Sequence, residues 1–206
     1  MAKKKVYGKQ MTVVWHEDDL NISHKNGYTV DALINKLREQ YIKEADLTTN
    51  RGKVHEYMGT KLDYREQGKA KIDMTDHLEK IPYDLPDKYQ GKDTTPAANH
   101  LFEVNETAHK LNDKDAQTFH TIMAKLLFLC KQSRTDIWNG VAFLTMRVID
   151  PDKDDDKKLS RILKYISGAR DIILTLESTG TGTVKFCVDA ALGVHHDMKI
   201  HTGRMM

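Results

Sequence analysis

The chain has 206 residues, of which 39% are hydrophobic and 30% charged, and its formal net charge is +2. This length allows one sizeable core or one domain with part of a second, and the small net charge neither requires nor excludes a nucleic-acid partner. No apolar run approaches the roughly 18 residues of a membrane span, and the basic N-terminus lacks the apolar region of a secretory signal. We therefore expect a cytoplasmic protein in which Cys130 and Cys187 are reduced core residues.

An acidic hairpin is predicted near the start of the chain. Apolar residues in MTVVWH and LNISH indicate two strands, joined across Glu17, Asp18 and Asp19. Three adjacent carboxylates repel one another, and a tight turn can bring two of them toward one cation. The turn is therefore either a solvated loop or a cation site.

Helix and strand patterns alternate in the next part of the chain. Apolar residues at helical spacing predict a helix over 28–41, with Thr29 as the N-cap. VHEYMGTKLDY and KAKIDM predict paired strands with a turn at Gln67-Gly68. A short helix is expected over 76–81, ended by Pro82, and a long irregular connection over 83–112.

Three amphipathic helices follow the irregular connection. They are predicted over 116–130, 137–149 and 159–166, with Gly168 as a helix stop. DIILTL then predicts a strand, ESTGTGT a flexible linker, and VKFCVDAAL another strand that opens a truncated second domain. Because strands and helices are segregated by region, the expected fold class is α+β.

The acidic run DPDKDDDKKL places Asp150, Asp152 and Asp154 at alternate positions, as in a calcium-binding EF-hand loop. Asp155 takes the position of the loop's glycine and Arg161 that of its closing glutamate, so the sequence excludes this site. We expect instead that the last aspartates of the run cap the next helix and interact with its dipole.

Six segments of the chain carry a family resemblance. TVVWHEDDL resembles a Tyr-x-Asp-Asp hairpin. HEYMGTKLDY and KAKIDMTDHLEKI together resemble a Phe-Leu-Gly strand and the strand and helix that follow it. DTTPA resembles a Ser-Thr-Pro segment. FHTIMAKLLFLCKQSRTDIWNGVAFL is similar to a run that ends in Arg-Pro-Asp-Ile, and DDKKLSRILKYISGARDIILTL to an Arg-Ile-Leu-Arg-Tyr-Leu-Lys-Gly-Thr block. VKFCVDAALGVHHDMKIHTG resembles the entrance to a ribonuclease H domain. In this order the segments resemble the copia-type retrotransposon reverse transcriptases over almost the whole chain.

The resemblance implies a domain organisation and an activity. Residues 1–112 would be the C-terminal part of a polymerase palm with an irregular connection, 113–177 a helical thumb and connection region, and 178–206 the truncated start of a ribonuclease H-like domain. The parent enzyme would be an RNA-directed DNA polymerase that uses two Mg²⁺ ions, with Mn²⁺ as a substitute. Its partners would be an RNA or DNA template-primer, nucleotides and the remainder of the polyprotein.

The same resemblance assigns roles to individual residues. Asp18 and Asp19 would be the catalytic, metal-binding carboxylates of the polymerase site, and Asp189 the first metal ligand of the ribonuclease H site. Basic residues of the helical region could contact nucleic-acid phosphates, although a solvated helix face is the alternative for most of them. These residues are Lys125, Lys131, Arg134, Lys157, Lys158 and Arg161.

The sequence also departs from the family pattern. His16 stands at the tyrosine position, Glu17 at a position that is usually small or apolar, Thr135 at the proline of Arg-Pro-Asp-Ile, and Ala191 at the second aspartate of the ribonuclease H motif. The family's earlier palm aspartate and its remaining ribonuclease H carboxylates have no counterpart, so we expect no polymerase activity from this chain alone. Two alternatives remain open: a decayed or domesticated remnant that binds nucleic acid or a partner without catalysis, and an unrelated α+β domain whose acidic turn is surface decoration.

Overall fold

Strands and helices occupy different regions of the chain. The structure, a computed structural model, describes residues 1–41, 47–79, 81, 86–178 and 180, together with the backbone of Cys187–Ala191 and His201–Met205. Nine strands and five α-helices lie within these residues, and every strand pairing is antiparallel. The predicted α+β class is confirmed. No helix in this part of the chain is both long and apolar enough to cross a membrane.

The first sheet has three strands in the order β1-β2-β3. These are β1 (Ala2–Val6), β2 (Lys9–His16) and β3 (Asp19–Ser23). The hairpin of β2 and β3 confirms the prediction from alternating apolar residues, and its register runs from Thr12↔Ser23 to His16↔Asp19. β1 was not predicted, because its three central residues are lysines and give no apolar alternation.

Helix α1 (Gly27–Tyr41) follows the first sheet. The Oδ1 atom of Asn26 accepts a hydrogen bond from the backbone N–H of Tyr28 at 3.0 Å, which satisfies one of the open donors at the helix start. The prediction that Thr29 is the N-cap is therefore wrong. Thr29 is the third residue of the helix and is buried.

The second sheet has four strands in the order β4-β5-β6-β7. These are β4 (Val54–Tyr57), β5 (Thr60–Asp63), β6 (Lys69–Asp73) and β7 (Leu174–Glu177). VHEYMGTKLDY forms two strands rather than one, because Met58 and Gly59 have φ values of 52° and 66° and reverse the chain. The predicted turn at Gln67-Gly68 is confirmed, since it joins the paired strands β5 and β6.

Strand β7 pairs with β6 across a large distance in the sequence. The register runs from Lys69↔Glu177 to Ile72↔Leu174. Met74, Tyr89 and Leu101 likewise belong to the same hydrophobic core as the later helices. The sheet and the core therefore join residues on both sides of the predicted domain boundary between 112 and 113.

Four further α-helices follow α1 along the chain. They are α2 (Thr75–Glu79), α3 (Asp113–Gln132), α4 (Trp138–Thr145) and α5 (Lys153–Gly168). The second predicted amphipathic helix is shorter than expected, because residues 135–137 form a 3₁₀ turn and the helix ends at Thr145. Gly168 is the last helical residue and Ala169 is the C-cap. Pro82, the predicted stop of α2, lies outside the described residues.

The hydrophobic core lies among α3, α4 and α5. Phe119, Leu126, Leu144 and Ile162 are completely buried there, and burial of each such side chain contributes about 1.5–3 kcal/mol. Cys130 is a buried free thiol, as predicted, and burial raises its pKa to about 11.

The irregular connection predicted over 83–112 is confirmed for its described residues, which contain one 3₁₀ turn, Asp87–Tyr89. It packs against α5 through specific contacts. The Oγ of Ser160 donates to the backbone carbonyl of Lys88, and the Nζ of Lys158 donates to that of Glu103, each at 2.5 Å. These side-chain bonds take the place of a regular backbone ladder in ordering the segment.

The last two described strands form a separate two-stranded sheet. β8 (Cys187–Ala191) pairs with β9 (His201–Met205) from Cys187↔Met205 to Ala191↔His201. The strand predicted in VKFCVDAAL is therefore present. Residues 179 and 181–183 of the predicted linker lie outside the described residues, as does the side chain of Cys187.

Candidate functional site

The acidic hairpin places two carboxylate residues at the end of the first sheet. β2 ends at His16 and β3 begins at Asp19, so Glu17 and Asp18 form a two-residue turn. Glu17 has a φ of 50°, a left-handed conformation that costs a residue with a side chain about 1–2 kcal/mol. Among the described residues, two other hairpins have two-residue turns, and both turns end in a glycine, at Gly8 and Gly59, whereas this turn contains none.

The carboxylates of this turn face water. Glu17, Asp18 and Asp19 are all exposed, and none of their carboxylate groups has a hydrogen-bond or ion-pair partner among the described residues. His16 and Asp19 lie directly opposite each other across the strand pair. Their side chains therefore share one face of the hairpin.

The hairpin offers an incomplete set of metal ligands. Within the part of the chain that the structure describes, no group of three or more His, Cys, Asp or Glu side chains could hold a metal ion. Mg²⁺ commonly uses one or two carboxylates and keeps several waters. Asp18 and Asp19 supply oxygen ligands of the right type, so they fit part of a Mg²⁺ site.

An exposed apolar pair stands beside the acidic turn. Trp15 and Leu20 are cross-strand partners in β2 and β3, and they are 51% and 43% exposed. Val13 and Ile22 form the next pair on the same face and are half-buried. One face of the hairpin is thus apolar as far as its tip.

The structure brings the third predicted metal ligand into a strand. The backbone of Asp189 lies in β8 opposite Gly203, and Ala191 lies opposite His201. The side chains of these residues are outside the described part of the structure.

Two of the six predicted phosphate-binding residues are used inside the fold. The Arg134 side chain is 1% exposed, its Nε and Nη2 atoms donate to the Asp136 carboxylate at 2.9 and 2.7 Å, and its Nη1 donates to the carbonyl of Ala169. Lys158 is buried and forms an ion pair with Asp154 at 3.2 Å besides its bond to Glu103. These contacts favour structural roles for both cations.

The other four predicted residues lie on two helices. Lys125 is half-buried and Lys131 exposed on α3, while Lys157 is exposed and Arg161 half-buried on α5. Lys157 and Arg161 are four residues apart and therefore share a helix face.

A basic cleft lies between α5 and residues 93–101. It has a volume of about 560 Å³, which is within the range of small-molecule pockets. We name it the α5 cleft. It is lined by Lys88, Asp93, Pro96, Ala97, Ala98, His100, Leu101, Asp154, Asp156, Lys157, Lys158, Ser160, Arg161 and Lys164.

The start of α5 is held by a buried charge network. Asp152 is the N-cap and accepts hydrogen bonds from the backbone N–H groups of Asp154 and Asp155, while the Asp155 side chain accepts one from the Asp152 backbone. An aspartate of the acidic run therefore caps the helix, but it is Asp152 and not one of the last aspartates of the run, which lie in the first turn of α5. Arg147 donates to both carboxylates, and burial raises the pKa of Asp155.

Comparisons of the chain with protein-family models, with curated proteins and with solved structures find no match. The resemblance to copia-type reverse transcriptases therefore rests on the sequence motifs alone.

The α5 cleft was only partly visible in the sequence. The family resemblance implies that Lys157 and Arg161 are candidate phosphate contacts. Lys164 continues the same face, seven residues after Lys157, and helical spacing alone could have found it. Lys88 comes from the irregular connection, and no periodic signal places it beside α5.

Proposed function

We propose that this chain is part of a copia-type retroelement polyprotein and contributes to the site of an RNA-directed DNA polymerase. The supporting observation is the β2–β3 hairpin, which presents Asp18 in its turn and Asp19 at the first residue of β3, both exposed. In this proposal residues 1–112 are palm, 113–177 thumb and connection, and 178–206 the start of a ribonuclease H-like domain.

The position of the carboxylates suits this chemistry. A short turn between two paired strands is held on both sides, yet its side chains remain open to a nucleic-acid end. When bound, two Mg²⁺ ions activate the attacking hydroxyl and stabilise the leaving phosphate. Asp18 and Asp19 would bind and orient these cations, with Asp18 as the more direct ligand, and Asp189 would serve the ribonuclease H site.

The proposed partner is an RNA or DNA template-primer. Lys131 and Lys157 are exposed and Lys125 and Arg161 half-buried on α3 and α5, where they could contact backbone phosphates. The proposed location is the cytoplasm, with the rest of the polyprotein as a further partner.

Cation binding to the hairpin provides the first test. Titration of the chain with Mg²⁺ or Mn²⁺ by calorimetry should show binding tighter than about millimolar. This binding should vanish in the Asp18→Ala/Asp19→Ala double variant. In NMR spectra, Mn²⁺ should selectively broaden the amide signals of His16 and Leu20, which flank the turn.

The matched control is the Asp113→Ala/Asp171→Ala double variant. Both aspartates are exposed and lie outside the hairpin, and neither carboxylate group has a hydrogen-bond or ion-pair partner among the described residues. This variant changes the net charge equally and should leave cation binding unchanged. Equal loss in both variants would show diffuse charge binding and would contradict the proposal.

A second candidate is a remnant that binds nucleic acid without catalysis. It is favoured by Glu17 and Ala191, each of which alters a motif position. Adding back the remainder of the polyprotein distinguishes the two functions. Primer extension that depends on Asp18 supports the polymerase, whereas template-primer binding with no extension supports the remnant.

A further inference from the structure

The α5 cleft combines a row of cations with an apolar wall. Lys157, Arg161 and Lys164 follow one another at spacings of four and three residues along α5 and line the cleft. Lys157 and Lys164 are therefore about 10 Å apart along the helix axis. Pro96, Ala97, Ala98 and Leu101 contribute apolar surface from the connection.

Each carboxylate in the cleft already has a cation. Asp156 pairs with Lys88 at 2.6 Å and also accepts a hydrogen bond from the hydroxyl of Tyr89. Asp154 pairs with Lys158 at 3.2 Å, and Asp93 lies 3.9 Å from Arg161. The negative charge of the cleft lining is thus matched within the fold.

Two lysines that line the cleft are not paired with a carboxylate. Among the residues that the structure describes, the ammonium group of neither Lys157 nor Lys164 has an ion-pair or hydrogen-bond partner. The aliphatic part of Lys164 lies against Gly91, where a Cβ added to the glycine would be 3.7 Å from the Cε of Lys164. The cleft therefore carries two positive charges beyond those that its own carboxylates match.

We propose that the α5 cleft binds a small molecule that carries a phosphate monoester and an apolar or aromatic part. A phosphate monoester has a charge of about −1.5 to −2 at neutral pH. This charge matches the two positive charges of the lysines better than the single negative charge of a carboxylate ligand does. Lysine ammonium groups bind phosphate as point charges, and the apolar wall accommodates the rest of the ligand. The inference is independent of the acidic hairpin, but it assigns Lys157 and Arg161 to a small ligand instead of to the template-primer contacts proposed above. A nucleic-acid backbone is the other source of phosphate, and the test separates the two.

Titration with adenosine 5′-monophosphate in buffer that contains EDTA tests this site. We expect saturable binding by calorimetry and amide shift changes confined to residues 93–101 and α5. Adenosine without its phosphate should bind about 10-fold or more weakly, and the Lys157→Ala/Lys164→Ala double variant should lose affinity by a similar factor. The Asp18→Ala/Asp19→Ala variant should bind as the wild type does, so failure of one proposal leaves the other intact.

The matched control is Lys36→Ala/Lys114→Ala, which removes the same charge from exposed positions on α1 and α3. It should leave the affinity unchanged. Equal loss in the control would show that only net charge matters, and absence of saturable binding at millimolar nucleotide would overturn the proposal. A single-stranded oligonucleotide that binds through the same lysines and is not displaced by the nucleotide would also overturn it, in favour of a polymeric ligand.

Discussion

Arg147 holds the start of α5, and its removal should destabilise the helical core in a pH-dependent way. Its Nη2 lies 3.0 Å from Oδ2 of Asp152, and its Nε lies 3.1 Å from Oδ2 of Asp155. Both carboxylate side chains are 3% exposed. The Arg147→Ala substitution would therefore leave two buried, adjacent carboxylates without their cation.

The expected loss follows from this burial. Breaking a buried ion pair by removing one partner costs about 3–5 kcal/mol, because the remaining charge is uncompensated. We expect a decrease of about 3 kcal/mol in the free energy of unfolding at pH 7, toward the low end because Arg147 itself is 23% exposed. The melting temperature should fall by about 2–4 °C for each kcal/mol.

The pH dependence has a definite sign. Burial raises the pKa of Asp155 above its ordinary value, although Arg147 counteracts part of this shift. Without Arg147 the pKa should rise further. A group whose pKa is higher in the folded state stabilises the fold when it is protonated and loses that stabilisation as the pH rises through the folded-state pKa. The loss of unfolding free energy in the Arg147→Ala variant should therefore become smaller as the pH falls from 7 toward 4.

Urea unfolding followed by far-ultraviolet circular dichroism at pH 7 and pH 4.5 measures this deficit. Arg38→Ala is the matched control, since Arg38 is exposed on α1 and has no ion-pair partner among the described residues. It should change the free energy of unfolding by no more than about 0.5 kcal/mol. A similarly small effect for Arg147→Ala, or a deficit that is the same at both pH values, would refute the reasoning.

Three further substitutions or modifications test other parts of the core. Asp136→Asn should cost about 2 kcal/mol at pH 7, since buried Arg134 loses its counter-charge. Burial opposes ionisation of Asp136, but hydrogen bonds from Arg134 and Tyr165 hold its pKa below the ordinary value. The loss of unfolding free energy in Asp136→Asn should therefore shrink as the pH falls below about 4, which urea titrations measure. Gly140→Ala should destabilise by about 1 kcal/mol in thermal melts, because the new Cβ would lie 2.8 Å from Cδ1 of Ile162. In an Ile162→Val background the same change should be neutral or stabilising, and a cost that persists there would rule out this clash. Iodoacetamide should alkylate Cys130 in the native protein at least about 100-fold more slowly than in urea, since burial raises its pKa to about 11, and equal rates would contradict that burial.

Elements with a clear local signal were predictable from the sequence. The β2–β3 hairpin followed from alternating apolar residues, and the acidic run indicated an aspartate cap for α5, although not that Asp152 forms it. Apolar periodicity nevertheless predicts that α5 starts at Leu159, whereas the cap at Asp152 starts the helix at Lys153. The turn at Met58-Gly59 was missed because Met-Gly is not one of the Asn-Gly or Asp-Gly pairs that commonly mark such a turn.

The α5 cleft and the Arg147 network depend on tertiary contacts. Residues 86–112 have no periodic pattern, and their course is determined by bonds such as that from Ser160 to the carbonyl of Lys88. Arg147 reaches two aspartates that follow it by five and eight residues around a bend. Neither arrangement has a spacing rule that can be read from sequence. The hairpin carboxylates were predictable as a turn, but whether they bind a cation remains a prediction.

The late pairing of β7 with β6 has a consequence during synthesis. About 100 residues separate Asp73 at the end of β6 from Leu174 at the start of β7, and a ribosome needs about 5–20 s to add them. Throughout that interval the backbone of β6 is an open edge that other nascent chains can join. We therefore expect yield to depend on translation speed and on chaperones that shield this edge, even when the finished chain is stable.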